Sequence, residues 1–210
     1  MTELLEQKLV AKTPIFDLVN RTYSSKEQGT FERSVVQMYN NAIAVLLYDI
    51  PTGLIYIEKE FRAGINRETY SIPAGKINDG EAPISALSRE VKEETGYDIT
   101  TDDFDFEFVT AVNSSEGFTD ELVYVYIVRG NFTNKIPEEK DLDKDEYMVG
   151  AFSKYPEEML EANVTFSAPT FIALSKFVDS QKINMLESDQ ERAELVDRED
   201  EDEEGDFYVG

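Results

Sequence analysis

Glu90, Glu93 and Glu94 stand at i, i+3 and i+4 within the run Gly75 to Tyr97, GKINDGEAPISALSREVKEETGY. At about 100° per residue the three carboxylates leave a helix within one narrow sector, where like charges repel. A hard divalent cation bound through oxygen is the natural neutraliser of such a sector. The elements that must position these groups can be read around them. Ile84, Leu87 and Val91 form an apolar stripe that would anchor the helix on a core. Pro83 suits a first helical turn, where its missing N–H is not needed. Gly96 suits a left-handed C-terminal cap, and Gly75 and Gly80 punctuate the preceding loop. The stretch predicts a strand, loop and helix unit built to hold metal.

Gly75, Glu81, Arg89, Glu90, Glu93, Glu94 and Gly96, with Val91 apolar and Tyr97 closing the pattern, resemble the Nudix box. Tyr97 takes a place where that family more often has an aliphatic residue. A solvated acidic helix is the usual meaning of a charged run, but it explains neither Arg89 nor the spaced glycines. The resemblance implies an α/β (α+β) fold, a Nudix α/β/α sandwich with a mixed sheet. It also implies cation binding, Mg²⁺ or Mn²⁺, by Glu90, Glu93, Glu94 and the backbone carbonyl of Ala74. Arg89 is expected to orient the carboxylates and Glu81 to brace the loop against the helix.

Composition bounds the alternatives. The 210 residues contain no cysteine and no histidine, which excludes disulfides, thiolate or imidazole metal sites and a Ser-His-Asp triad. Acid–base chemistry falls to carboxylates, Lys or Tyr, and any metal is a hard cation. The net charge is −24, and an acidic chain is poorly suited to polynucleotides, whose nonspecific affinity comes from Lys and Arg. The segment MTELLEQKLV lacks a basic region followed by an apolar core, and no run reaches membrane-spanning length. A cytoplasmic protein that binds neither nucleic acid nor membrane is expected.

In chain order, Pro14 to Tyr23 and Phe31 to Met38 are rich in β-branched and aromatic residues around a polar turn, so they predict an antiparallel hairpin. Ala42 to Tyr48 is nearly continuous apolar sequence and reads as a strand buried on both faces. Leu54 to Glu60 is a further strand, followed by Phe61 and Arg62. Phe106 to Asn113 and Glu121 to Arg129 read as strands flanking Ser114 to Asp120. Asp145 to Phe177 reads as a strand, a short helix at Pro156 to Ala162 and a helix from about Ala168. The expected division is an N-terminal β segment at 1–40, a catalytic domain at 41–180 and an acidic, disordered tail at 181–210. From Leu186 onward 12 Asp and Glu stand against two Arg, a composition that does not offset the entropy of ordering.

Over about residues 8 to 180 the chain is similar to the ADP-ribose pyrophosphatase branch of the family. That similarity implies a dimer made through the N-terminal sheet, with Arg62 gripping substrate phosphate and Arg67 a second candidate. Related enzymes commonly carry Glu where this chain has Ser71. They also have a Ser-Pro-Gly loop followed by an acidic base. Here Ser115, Glu116 and Gly117 stand in those places and Glu121 matches the acid. Glu93 and Asp120 compete with Glu121 as the base, and Phe16 is either an adenine stacker or a core aromatic. The implied reaction is hydrolysis of a nucleoside diphosphate linked to another moiety, foremost ADP-ribose to AMP and ribose 5-phosphate. A nucleotide sugar or dinucleotide substrate, and a non-catalytic nucleotide sensor, stay open.

Overall fold

The computed structural model describes residues 1–141, 148–162, 164 and 166–183. Strands β1 (Glu3–Lys12), β2 (Phe16–Ser25) and β3 (Gly29–Met38) form an antiparallel sheet in that order. The expected hairpin is β2–β3, and β1 adds a strand that the sequence did not announce. All ten residues of β1 are exposed, so it carries none of the in–out alternation by which a half-buried strand is read.

The larger sheet contains β4 (Ala42–Asp49), β5 (Leu54–Arg62), β6 (Arg67–Ser71), β7 (Ala74–Lys76), β8 (Phe104–Asn113), β9 (Leu122–Gly130) and β10 (Met148–Lys154). Its order is β10-β5-β4-β9-β8, with β6 on β5 and β7 on β4. β4 and β9 run parallel while β4 and β5 run antiparallel, which makes the sheet mixed. Ile43 to Leu47 are buried, as a run apolar on both faces demands. Helix α1 (Pro83–Thr95) covers one face through Ala86, Leu87 and Val91. On the other face lie Met159 of α2 (Pro156–Glu161) and Ala173, Leu174 and Phe177 of α3, which spans 168–183. The layers are therefore helix, sheet and helices. No helix among the described residues is long and apolar enough to cross a membrane.

One detail corrects the sequence reading. Ile84 is 44% exposed, because the first turn of α1 turns it toward a shallow groove beside Ile99 and Phe104 and away from the core. Residues 142–147, with the start of the strand expected from Asp145, lie outside the described residues, as does the expected tail beyond 183. Tyr97 has a clear reason to be aromatic. Its ring packs edge-on against Phe132 at 5.4 Å and Phe152 at 5.7 Å.

Asp49, at the end of β4, ties the sheet to the segment that follows β9. Its buried carboxylate accepts the N–H groups of Phe132 at 2.7 Å and Thr133 at 3.1 Å and the hydroxyls of Thr52 and Thr133, both at 2.5 Å. Burial pushes this carboxyl up, but the hydroxyl and N–H donors outweigh it and hold it below the ordinary carboxylate range. A lowered folded-state pKa gives stability that is present above the unfolded value and lost as pH falls through the folded one. Urea unfolding of Asp49→Ala should show a loss of about 3 kcal/mol at neutral pH. The gap to wild type should narrow below about pH 4.

Candidate active site

A cleft of about 870 Å³ opens between β4, β6, β7, the carboxylate face of α1 and the start of α3. Arg62, Ala74, Gly75, Arg89, Glu90, Glu93, Glu94 and Glu121 all line it. These residues come from separate elements, so the sheet topology gathers them into one place.

The local fold of the box follows from its special residues. Pro83 sits in the first turn of α1, and Gly96 closes the helix at φ 78°, its N–H bonded to Lys92 O. Gly75 is glycine for room: a Cβ there would lie 1.9 Å from the carboxyl carbon of Glu90. Gly75→Ala should therefore displace Glu90, the flexible partner in that clash, more than it disturbs the sheet. The expected result is a loss of turnover of about 100-fold, with a small change in the urea midpoint.

Arg89 is the hub of the carboxylates. Its guanidinium donates to both oxygens of Glu81 at 3.0 and 2.9 Å, to Glu90 at 2.8 Å, to Glu93 at 3.0 Å and to the Lys76 carbonyl at 2.8 Å. Hydrogen bonding to Glu81 is the largest influence holding the guanidinium in its charged form. The same bond holds Glu81 below the ordinary carboxylate range. Glu81 also accepts the Asn78 N–H at 2.9 Å, so it joins the loop to the helix. Glu94 is buried and accepts the Ala74 N–H at 3.0 Å.

Oxygen donors of this kind fit a hard cation, and Gly75 leaves the backbone close enough to Glu90 to share in holding one. Among the described residues no group of three or more carboxylates is drawn together as a finished cage. Arg89 supplies positive charge to Glu90 and Glu93 in this arrangement.

Glu121 precedes β9, half-buried, and accepts a hydrogen bond from the Ser114 hydroxyl. Asp120, its neighbour and rival as a base, is engaged otherwise. It accepts the Met38 N–H at 2.8 Å and pairs with Arg21 at 3.3 Å, pinning the loop to β3. Ser115, Glu116 and Gly117 are exposed and stand outside the residues that line the cleft. Arg62 lies at the rim, paired with Glu60 at 2.8 Å. Arg67 and Phe16 do not line the cleft, and Phe16 is half-buried on β2. The sequence reading did not include Ser114, Asp141 or the residues Ser167, Ala168 and Pro169 at the start of α3 as part of the site, and they complete the wall.

The NUDIX domain family matches residues 38–197. The chain belongs to the Nudix family. It is similar to an ADP-ribose pyrophosphatase of Bacillus subtilis (strain 168), 34% identical over 149 residues that cover 69% of this chain and 76% of that protein. It is also similar to a methanol dehydrogenase activator of Bacillus methanolicus, 28% identical over 152 residues, 70% of this chain and 78% of the relative. The crystal structure of an ADP compounds hydrolase shares the fold, with a TM-score of 0.67 at 16% identity over 86% of this chain and 95% of that one. The protein is a Nudix hydrolase, an enzyme of pyrophosphate bonds. Nudix hydrolases generally use divalent metal ions.

Proposed function

We propose that this Nudix hydrolase cleaves a nucleoside diphosphate linked to a second moiety, with ADP-ribose as the preferred substrate and AMP and ribose 5-phosphate as products. The observation that carries the reading is the convergence of the α1 carboxylates, the Ala74 backbone, Glu121 and Arg62 on one cleft. Similarity to the Bacillus subtilis ADP-ribose pyrophosphatase supports the choice of substrate.

Glu90, Glu93, Glu94 and the Ala74 carbonyl would hold Mg²⁺ or Mn²⁺. When bound, the cation neutralises diphosphate charge and makes a bound water more acidic. Glu121 accepts the proton of the attacking water. Water oxygen bonds to phosphorus, the bridging P–O bond breaks, and its electron pair leaves with the departing phosphate. Arg62 trades Glu60 for phosphate oxygens, which its planar fork fits in pairs. Arg89, already bonded on every side, orients carboxylates and leaves substrate to others.

A second reading keeps the chemistry and changes the substrate to a nucleotide sugar or dinucleotide. Ser71 and Glu116, where the ADP-ribose branch commonly has Glu and Pro, favour it. Phosphate release in a phosphatase-coupled assay with Mg²⁺, across ADP-ribose, nucleotide sugars and dinucleotides, separates the two. ADP-ribose should turn over fastest, and Glu94→Gln should lower that rate by about 1,000-fold or more. No turnover of any compound, with nucleotide binding retained, would leave a sensor and sink the hydrolysis reading. We also read residues 1–40 as a dimerisation segment and 41–180 as the catalytic domain. Exposed Leu4, Leu5, Leu9 and Val10 on β1 support a homodimer, and sedimentation velocity tests it.

A further inference from the structure

One more buried acid stands next to a residue of the cleft wall, outside α1. Glu58 on β5 is 1% exposed, and the strand register sets it directly opposite Ser71 on β6. Ser71 lines the cleft and is 3% exposed, and its hydroxyl oxygen has no hydrogen-bond partner among the described residues. Directly opposite residues on an antiparallel pair project to the same face. That face is the one α1 covers. Tyr56, two positions before Glu58, packs with Leu87 and Val91, while Ile57 and Ile72 pack on the opposite side of the sheet.

A shared neighbour, Tyr56, relates Glu58 to Glu94. The Tyr56 hydroxyl is pushed up first by burial and then by Glu58, Tyr97 and Glu94, so both acids lie within electrostatic reach of one phenol. Gly150 keeps this corner open. A Cβ there would stand 2.6 Å from the Tyr56 ring and 2.9 Å from the Glu58 Cγ. Glu94 in turn bonds the Ala74 N–H three residues beyond Ser71. In LIYIEKE the Glu58 carboxylate breaks an otherwise apolar core-facing run.

We propose that Glu58 and Ser71 form a second tier of the cation site, a positioning pair whose carboxylate adds negative charge behind Glu94 and whose hydroxyl lines the cleft three residues before Ala74. The inference rests on the cation-dependent hydrolysis proposed above. Glu58 touches neither substrate nor reacting atoms in this scheme. It acts by raising the affinity of Glu90, Glu94 and the Ala74 carbonyl for a divalent ion, as outer partners of metal ligands do.

The test is Mn²⁺ binding to the full chain, read from the electron paramagnetic resonance signal of free Mn²⁺, with folding checked by circular dichroism in EDTA. Glu58→Gln should bind Mn²⁺ about 10-fold or more weakly. The exchange Glu58→Ser with Ser71→Glu, which moves the carboxylate across the strand pair on the same face, should recover most of that affinity. Unchanged affinity in Glu58→Gln overturns the proposal and leaves the hydrolysis reading standing. Weakened affinity that the exchange does not recover assigns Glu58 to the fold alone and overturns it too. If Glu58→Gln does not fold, the exchange variant decides by itself: near-wild-type affinity supports the pair and weak binding sinks it. A wild-type chain that binds no Mn²⁺ would overturn the hydrolysis reading as well.

Discussion

Arg89→Met is expected to lower turnover by about 100-fold and to make the fold markedly more dependent on divalent cation. Methionine keeps the apolar stem of the side chain and removes every donor. Glu81, Glu90 and Glu93 then lose their shared counterion, and the Lys76 carbonyl loses a donor. Removing one partner from a buried ion network costs several kcal/mol because the charges left behind are uncompensated. Arg89 is 28% exposed, so water screens part of that cost and about 2 kcal/mol is the reasonable expectation. Cation binding should return much of this loss. A ligand stabilises the folded chain according to its concentration over its dissociation constant, and in the variant it becomes the main neutraliser of Glu90 and Glu93. The rise in melting temperature on adding Mg²⁺ should therefore be larger for Arg89→Met than for wild type. An equal or smaller rise would show that Arg89 is not the resident neutraliser. Arg89→Lys should fall close to the methionine variant in turnover, since one ammonium cannot reach two sides of Glu81 and also Glu90 and Glu93.

What could be read from the sequence was what the chain encodes locally. The carboxylate sector, Pro83 and Gly96 are fixed by helical period and by the backbone preferences of two residue types, so α1 was legible to its ends. β4 was legible because burial on both faces leaves a continuous apolar run. Ile84 shows the limit of a stripe argument: helical period puts it near Val91 in angle, but the end of a helix can overhang its core. β7, three residues long, has too few positions to show any period. Ser71 could be seen to depart from its relatives, but its opposition to Glu58 depends on strand register, which is a tertiary property. A carboxylate in the apolar run of β5 was the available signal for Glu58. The same limit applies to Asp120, whose engagement by Met38 and Arg21 joins parts of the chain far apart in sequence.

Glu121→Gln is expected to lower kcat by about 1,000-fold, within the range seen for a positioned proton acceptor, with little change in KM or stability. Glutamine keeps the size of the side chain and can still meet the Ser114 hydroxyl, so the loop geometry should survive. What it loses is the capacity to take a proton. Glu93, the rival base, is tied to Arg89 at 3.0 Å, and a cation would be its second partner. Glu93→Gln should therefore weaken Mg²⁺ activation, and rising Mg²⁺ should recover part of its rate, whereas no concentration of Mg²⁺ should recover Glu121→Gln. Ser114→Ala supplies a check on the same assignment, because it leaves Glu121 ionisable and removes only its orienting donor. Its expected loss is about 10-fold, and combined with Glu121→Gln it should add little, since two residues acting through one proton transfer are not additive. A full, additive loss in the double variant would separate Ser114 from Glu121. Recovery of Glu121→Gln by Mg²⁺ would move the base to Glu93, because only a cation ligand has its loss compensated by mass action.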